Sequence, residues 1–251
     1  RVVHLAAQAG VRHSIDRPGD YVRSNLDGHS NILELVRGLM HRPGGCKSFV
    51  YASSSSVYGA NKEMPFSTGQ KTDSPVSFYG ATKKANELLS YSYAHLYRVP
   101  SIGLRFFTVY GPWGRPDMSP WLFTSAILEG RPIRVFNYGD MMRDFTYIAD
   151  IATGVVNALD TPPSSEGDTC PHKVYNIGSN KPVKLLDYIR VIEKACGIEA
   201  IMDMQPMQAG DVHATYANID PASEDFGYAP RTPIEKGIPA FVDWYRQYHA
   251  I

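Results

Sequence analysis

Tyr79-Gly-Ala-Thr-Lys-Lys-Ala-Asn-Glu-Leu-Leu-Ser-Tyr-Ser-Tyr-Ala-His-Leu-Tyr-Arg-Val-Pro-Ser-Ile-Gly-Leu-Arg-Phe-Phe107 decides the fold. Ala81, Ala85, Leu88, Leu89, Tyr93 and Leu96 recur at helical spacing and mark one face of a long helix. Ile102 to Phe107 then reads as a buried strand, and Ser48 to Ala52 upstream reads as another. Strand, helix, strand in that order is the unit from which parallel sheets are built. Outward from it the alternation continues. Val2 to Leu5 reads as a strand, and Asn25 to Met40 as a helix whose apolar positions are Leu26, Ile32, Leu33, Val36 and Met40. Downstream come a helix over 122–128, a strand over 133–136, a helix over 148–159, a strand over 174–177, and helices over 185–196 and 234–248. The pattern predicts an α/β chain with a parallel sheet covered on both faces. The clearest loop is 161–171.

Composition bounds the function classes. The chain of 251 residues is long enough for one large domain, or for one domain and a smaller lobe. Lys+Arg and Asp+Glu are 25 each, so net charge points to neither nucleic acid nor an anionic membrane. No apolar run approaches the ~20 residues of a spanning helix. Cys46, Cys170 and Cys196 are scattered and lack metal-ligand spacing, which fits reduced thiols in a cytosol and no metal site. Arg1-Val-Val-His-Leu-Ala-Ala7 reads as a buried strand from its first residue, and the expectation is of an N-terminally truncated chain.

The chemistry lies in Tyr79, Lys83 and Ser54. Tyr-x-x-x-Lys alone means little, because this composition supplies about 0.6 such pairs by chance. A second pair, Tyr58 and Lys62, is in fact present. Context separates them. Tyr58 is followed by turn formers, Gly59 and Asn61, and reads as structural. Tyr79 enters the helix, where positions i and i+4 share a flank. A tyrosine titrates near 10 unperturbed. A positive charge about 6 Å away, at an effective dielectric near 20, favours the phenolate by roughly 3 kcal/mol. Lys83 and an oxidised nicotinamide together would bring Tyr79 into the range of a general base. Ser54, in the run Ser53 to Ser56, would bridge a substrate hydroxyl and the phenol; an isolated serine there would be read as satisfying backbone groups at a strand end.

Several stretches carry a resemblance. Val3-His-Leu-Ala-Ala-Gln-Ala-Gly-Val11, Tyr51-Ala-Ser-Ser-Ser-Ser-Val-Tyr-Gly59, Arg105-Phe-Phe-Thr-Val-Tyr-Gly-Pro-Trp-Gly-Arg-Pro-Asp-Met118, Arg143-Asp-Phe-Thr-Tyr147 and Met207-Gln-Ala-Gly-Asp-Val212 are its motifs. With them the whole chain resembles the extended short-chain dehydrogenase/reductase family and, within it, UDP-glucuronate 4-epimerases. The resemblance implies a Rossmann-like doubly wound sheet with a smaller C-terminal lobe. The dinucleotide-binding part would comprise 1–109 and 146–182, and the nucleotide-sugar lobe 110–145 and 183–251. It implies bound NAD, a UDP-sugar substrate, a homodimer through the helices of 25–40 and 81–97, and a cytoplasmic setting.

Site roles follow by resemblance, position by position. Ser54, Tyr79 and Lys83 would be catalytic, with Tyr79 and Lys83 also holding the cofactor. Leu5, Ala6 and Ala7 would line its adenosine side, and Phe106 and Val109 would sit near its nicotinamide. Ser55, Ser56, Thr108, Arg115, Arg143 and Asp211 would bind substrate, with Arg115 on the sugar carboxylate. Arg105 reads as a buried structural ion pair. The family's glycine-rich turn and the acidic residue after its second strand have no counterpart here; the resemblance places them upstream of Arg1.

Rival readings fall in two classes, enzymatic and non-enzymatic. A UDP-glucuronate decarboxylase or a nucleotide-sugar 4,6-dehydratase tends to carry an acidic residue just after the active-site serine or threonine, where this chain has Ser55 and Ser56. A UDP-glucose epimerase lacks the Trp113 to Asp117 element. An inactive, truncated nucleotide-sugar-binding module is the non-enzymatic alternative.

Overall fold

The computed structural model describes residues 1–164, 166–207 and 213–251. The elements run β1 (Val2–His4), α1 (His13–Asp16), α2 (Pro18–Tyr21), a π-helical turn (Val22–Asp27) leading into α3 (Gly28–Met40), β2 (Phe49–Ser54), a 3-10 turn (Ser55–Tyr58) and α4 (Phe78–Tyr97). After them come β3 (Ser101–Phe106), β4 (Thr108–Tyr110), α5 (Ser119–Leu128), β5 (Ile133–Val135), β6 (Met142–Tyr147), α6 (Ile148–Asp160) and β7 (His172–Ile177). The chain ends with β8 (Pro182–Lys184), α7 (Leu185–Cys196), β9 (Met202–Met204), β10 (Ala214–Thr215), α8 (Asp220–Phe226) and α9 (Ile234–His249).

Two compact units result. The first contains Arg1–Phe106, Thr153–Ile177 and Asn218–Tyr228. Its sheet has the order β1-β2-β3-β7, every pairing parallel, as the strand and helix alternation predicts for a Rossmann-like α/β fold. β2 is buried along almost its whole length, the pattern of a strand covered on both faces. Leu33 and Val36 of α3 pack with Phe49, Tyr51 and Val99 in one apolar cluster. Residues 218–228 return to this unit because Asn176 ties them in: its Nδ2 donates to the Phe66 carbonyl at 2.7 Å and to the Asn218 carbonyl at 3.2 Å.

Only part of the apolar stripe read on α4 meets the core: Leu89 and Tyr93 pack on the cluster of Leu33, Val36, Phe49 and Tyr51. Leu88 and Leu96 are 61% and 63% exposed, whereas Thr82, Lys83, Asn86, Glu87, Ser90 and Ala94 face inward. An ion pair explains the polar share of that inward face. Arg105 of β3 grips Glu87 through Nε and Nη2, both at 2.8 Å, and both residues are 3% exposed. Ser53 Oγ donates to the same carboxylate at 2.6 Å, and Tyr58, which Arg105 contacts at 3.1 Å, donates to Asn176 Oδ1 at 2.6 Å. Burial alone would raise the Glu87 carboxyl, but the Arg105 hydrogen bonds and charge outweigh it and hold it below its ordinary value. Removing either partner would strand a buried charge at a cost of about 3–5 kcal/mol. Arg105 and Tyr58 are thus structural, as the sequence suggested.

The second unit contains Phe107–Ala152, Gly178–Ala217 and Ala229–Ile251. Its strand order is β10-β6-β4, with β8 antiparallel on β6, and β5 pairs with β9. Its core packs Phe123 and Ile127 of α5 with Tyr188, Ile189 and Ile192 of α7 and Ile238, Phe241 and Val242 of α9. The Phe145 and Tyr188 rings stack 4.0 Å apart.

Two histidines of the first unit couple its stability to acid. Burial, then His4 and Lys83, pull His29 down to about 3, and burial pulls His172 down to about 4. Between pH 6.5 and 4 the unfolded chain takes up protons that the folded chain refuses, so stability falls as pH falls, by up to ~1.4 kcal/mol per pH unit for each histidine. Urea midpoints at pH 6.5, 5.5 and 4.5 will show this decline, and His29→Gln will make it shallower. An identical slope in the variant would refute the assignment.

Candidate active site

Parallel register brings the C-terminal ends of β1, β2 and β3 to one edge of the first sheet, since Val2, Phe49 and Ser101 are aligned. Ligands of open α/β sheets bind at that edge. The residues just past it are those the resemblance named: Leu5, Ala6 and Ala7 after β1, Ser54 to Ser56 closing β2, and Phe106 closing β3.

Tyr79 lies in the first turn of α4. Ser77 caps this helix, its Oγ accepting from the Gly80 amide at 3.0 Å. Gly80 has no side chain for a steric reason: a Cβ there would lie 2.6 Å from the Ser56 carbonyl oxygen. The helix start is therefore pressed against the 3-10 turn that carries Ser55 and Ser56. Ser54 Oγ donates to Ser56 Oγ and accepts from the Ser56 amide, both at 3.2 Å, so it also makes the strand-end bond a structural serine would make.

Around Tyr79 stand residues that sequence reasoning did not single out. Ser14 Oγ accepts from the Tyr79 amide at 3.2 Å. The Tyr21 ring meets the Tyr79 ring edge-on at 6.1 Å and is anchored by its hydroxyl on the carbonyls of Ala9 (3.0 Å) and Gly10 (2.6 Å). Asn25, 1% exposed, exchanges both backbone bonds with Gln8 (2.8 and 3.0 Å) and reaches Thr82 Oγ1 at 3.0 Å, pinning the chain after β1 to α4. The available signal was a polar residue at a position in phase with the apolar face of a helix.

Lys83 Nζ lies 6.0 Å from the centre of the Tyr79 ring, on the flank that i, i+4 spacing requires. It donates to the Ala52 carbonyl at 2.9 Å. Burial lowers its pKa to about 8, still above neutral, so the side chain is mainly charged at pH 7. A desolvated ammonium with three donors fits a ligand that brings hydroxyl oxygens. Nearby, His4, Ala6, Ala7, Gln8, Ser24, Gly28 and Ile32 line an open depression of about 440 Å³, with small side chains where a flat ring system needs room. On both counts the residues present fit a dinucleotide.

In the second unit β4 carries Thr108 and Val109, and the turn after it carries Arg115. Gly114 N–H bonds to the Gly111 carbonyl at 3.1 Å, with Pro112 second and Trp113 third in the turn. Trp113 has φ +64°, where turns of this pattern place glycine or asparagine; a residue with a side chain loses about 1–2 kcal/mol there. The Arg115 fork bonds to Asp117 through Nε at 2.9 Å and Nη2 at 2.7 Å. Arg143 of β6 donates to the Met142 and His213 carbonyls at 2.8 and 3.1 Å. Beside it Asp144, fully buried, accepts from the amides of Ser179, Asn180 and Ala217. Asp211 lies outside the described residues. Among the described residues no cluster of His, Cys, Asp or Glu could hold a metal ion.

Known proteins share this fold. The model of the NAD dependent epimerase/dehydratase family matches residues 1–178. The chain belongs to that family. It is 48% identical to Protein CapI of Staphylococcus aureus over 259 residues, covering 99% of this chain and 76% of that protein. UDP-glucuronate 4-epimerase 2 of Arabidopsis thaliana is 45% identical, with 99% and 58% covered. The crystal structure of UDP-glucuronic acid 4-epimerase from Bacillus cereus, in complex with UDP-glucuronic acid and NAD, superposes with a TM-score of 0.87 at 34% identity, covering 98% of this chain and 76% of that one.

The cost of holding Lys83 inside is measurable. Its folded pKa is below its unfolded value, so below pH 8 both states carry the proton and the folded state bears the whole desolvation cost. From pH 8 to 10.5 only the unfolded state keeps the proton, and stability rises with pH. Lys83→Met will therefore stabilise the chain at pH 7 by about 1–3 kcal/mol, a gain that shrinks by pH 10. Equal gains at both pH values in urea denaturation would overturn this account.

Proposed function

We propose that this chain interconverts UDP-glucuronate and UDP-galacturonate by reversible oxidation at C4. The observation that carries the reading is the Tyr79 and Lys83 pair on one flank of α4, with the helix start packed against the Ser54 to Ser56 segment. NAD, when bound, supplies the acceptor and donor of the C4 hydride. The protein's part is proton transfer and orientation. Tyr79, its phenolate favoured by the Lys83 charge, takes the proton from the sugar O4 and later returns it. Ser54 holds that hydroxyl toward the phenol. Lys83 anchors the cofactor ribose, Leu5, Ala6 and Ala7 border its adenosine side, and Phe106 and Val109 border its nicotinamide.

Between the two proton transfers the substrate is a 4-keto sugar, which must present its other face before it is reduced. It is a β-keto acid as well, prone to lose CO2. Arg115 is assigned to the carboxylate, because a planar guanidinium matches two carboxylate oxygens at once. Holding that group away from the orientation that assists C5–C6 cleavage separates epimerisation from decarboxylation. Ser55, Ser56 and Thr108 are assigned to the sugar, and Arg143 and Asp211 to the nucleotide. Ser55 and Ser56, standing where an acidic residue would serve a decarboxylase or dehydratase, favour the epimerase reading.

Incubation of the NAD-loaded enzyme with UDP-glucuronate will give UDP-galacturonate without net NADH. Tyr79→Phe will lower kcat at least 100-fold with UDP affinity nearly intact, and Arg115→Ala will weaken UDP-glucuronate far more than UDP-glucose. UDP-xylose with CO2 release would instead establish a decarboxylase.

A homodimer through α3 and α4 belongs to the same proposal. Leu35 on α3 and Leu88, Tyr91 and Leu96 on α4 are at least half exposed, an apolar outer surface on two neighbouring helices. Sedimentation at micromolar concentration will give a dimer, and Leu88→Glu with Leu96→Glu will give a monomer; a wild-type monomer would contradict it. A cytoplasmic setting agrees with three free thiols. Among the described residues no helix is long and apolar enough to cross a membrane.

A further inference from the structure

Trp113 combines two properties that ordinarily exclude each other. Its side chain is large and 76% exposed, and its backbone has φ +64°, a conformation that favours glycine. A bulky residue held in such a conformation persists only where its surroundings determine it, and such positions cluster at functional sites. The determining contacts come from α9. The Trp113 ring lies 5.3 Å from the Trp244 ring and 5.6 Å from the Tyr248 ring. Trp244 and Tyr248 are one helical turn apart and stack on each other at 5.2 Å. Trp121 of α5 buttresses both, at 5.7 and 6.2 Å. Aromatic pairs in this distance range attract beyond simple area burial. An exposed tryptophan is thus the free end of a braced aromatic stack.

The stack holds a turn whose next feature is Arg115. Gly111 to Gly114 close on one another through the 3.1 Å backbone bond, and Met118 N–H returns to the Arg115 carbonyl at 3.2 Å. Trp113 and Arg115 are separated by Gly114 alone, so the conformation held at Trp113 sets where the Arg115 backbone leaves the turn. In this structure Arg115 already presents its Nε and Nη2 side to a carboxylate, that of Asp117. Both side chains are solvent-exposed, 43% and 62%, so the pair is weakly held and the fork is open to exchange for another carboxylate.

We propose that Trp113 is a positioning residue for Arg115. By seating on Trp244 and Tyr248 it fixes the Gly111 to Gly114 turn and presents the guanidinium fork to the carboxylate of the uronate substrate, conferring preference for charged over neutral sugars. The inference rests on the assignment of Arg115 to that carboxylate and adds what aims it.

The test uses the NAD-loaded enzyme, with steady-state kinetics on UDP-glucuronate and calorimetric Kd values for UDP-glucuronate and UDP-glucose. Trp113→Ala will raise KM and Kd for UDP-glucuronate about tenfold, with kcat within threefold and the UDP-glucose Kd within twofold. Trp113→Phe will restore most of the loss. Trp113→Gly separates stack from backbone: glycine accepts the same φ freely, so it will show the alanine defect if the stack does the holding. Trp244→Ala, on a different element from Arg115, will reproduce a smaller version of that defect. In an Arg115→Ala background, Trp113→Ala will add nothing. Wild-type affinity in Trp113→Gly, or equal losses for both nucleotide sugars in Trp113→Ala, would overturn the proposal. If Arg115→Ala itself weakened both sugars equally, the carboxylate assignment would fall; if it were selective while Trp113→Ala was neutral, only the role of Trp113 would.

Discussion

The Glu87 to Arg105 pair is the constraint on which the first unit depends. Two opposite charges are taken out of water, held by two parallel bonds of 2.8 Å, and surrounded by Ser53 and Tyr58, which satisfy what the pair leaves open. Buried pairs add little net stability compared with apolar packing, but they tolerate only one geometry. Here that geometry fixes how α4 lies on β2 and β3. Glu87 is one turn from Lys83 and two from Tyr79, so whatever sets its position along the strand also sets theirs. The lysine is then held in a dry setting that lowers its pKa to about 8. The Tyr79, Lys83 pair and the fold register share one helix flank.

Order at the sheet edge follows from the parallel pairing. Once β1, β2 and β3 are aligned, their C-terminal ends coincide, and residues distant in sequence, such as Ala6, Ser54 and Phe106, become neighbours of one edge without any special contact between them. The close approach at Gly80 does the rest, bringing the helix that carries the phenol onto the serine turn.

Much of this was legible in the chain. β2, β3, α7 and α9 follow directly from apolar runs and helical spacing, and α7 falls on the residues expected, Leu185–Cys196. The Tyr79, Lys83 pair was readable because helical geometry converts a four-residue spacing into a shared flank. The polar part of α4's inward face was not. Periodicity places Leu89 and Tyr93 on the core correctly, but α4 also buries a charge paired across 18 residues of sequence, and a pairing between elements leaves no local pattern. β6 escaped for a related reason: Met142-Arg-Asp-Phe-Thr-Tyr147 carries two charges because Asp144 accepts three amides from segments that lie far along the chain. Ser14 and Tyr21 were invisible in the same way. Their partners are backbone groups, and backbone groups have no sequence signature.

The mixed underside of α4, where Lys83, Asn86 and Glu87 sit beside Leu89, Tyr93 and Ala94, bears on how the molecule comes apart. Detachment of this helix would wet two charges and an amide, and in the same movement uncover the Leu33, Val36, Phe49 and Tyr51 cluster that Leu89 and Tyr93 cover. Hydrophobic dyes would therefore report its loosening as well as the coverage of its outer leucines.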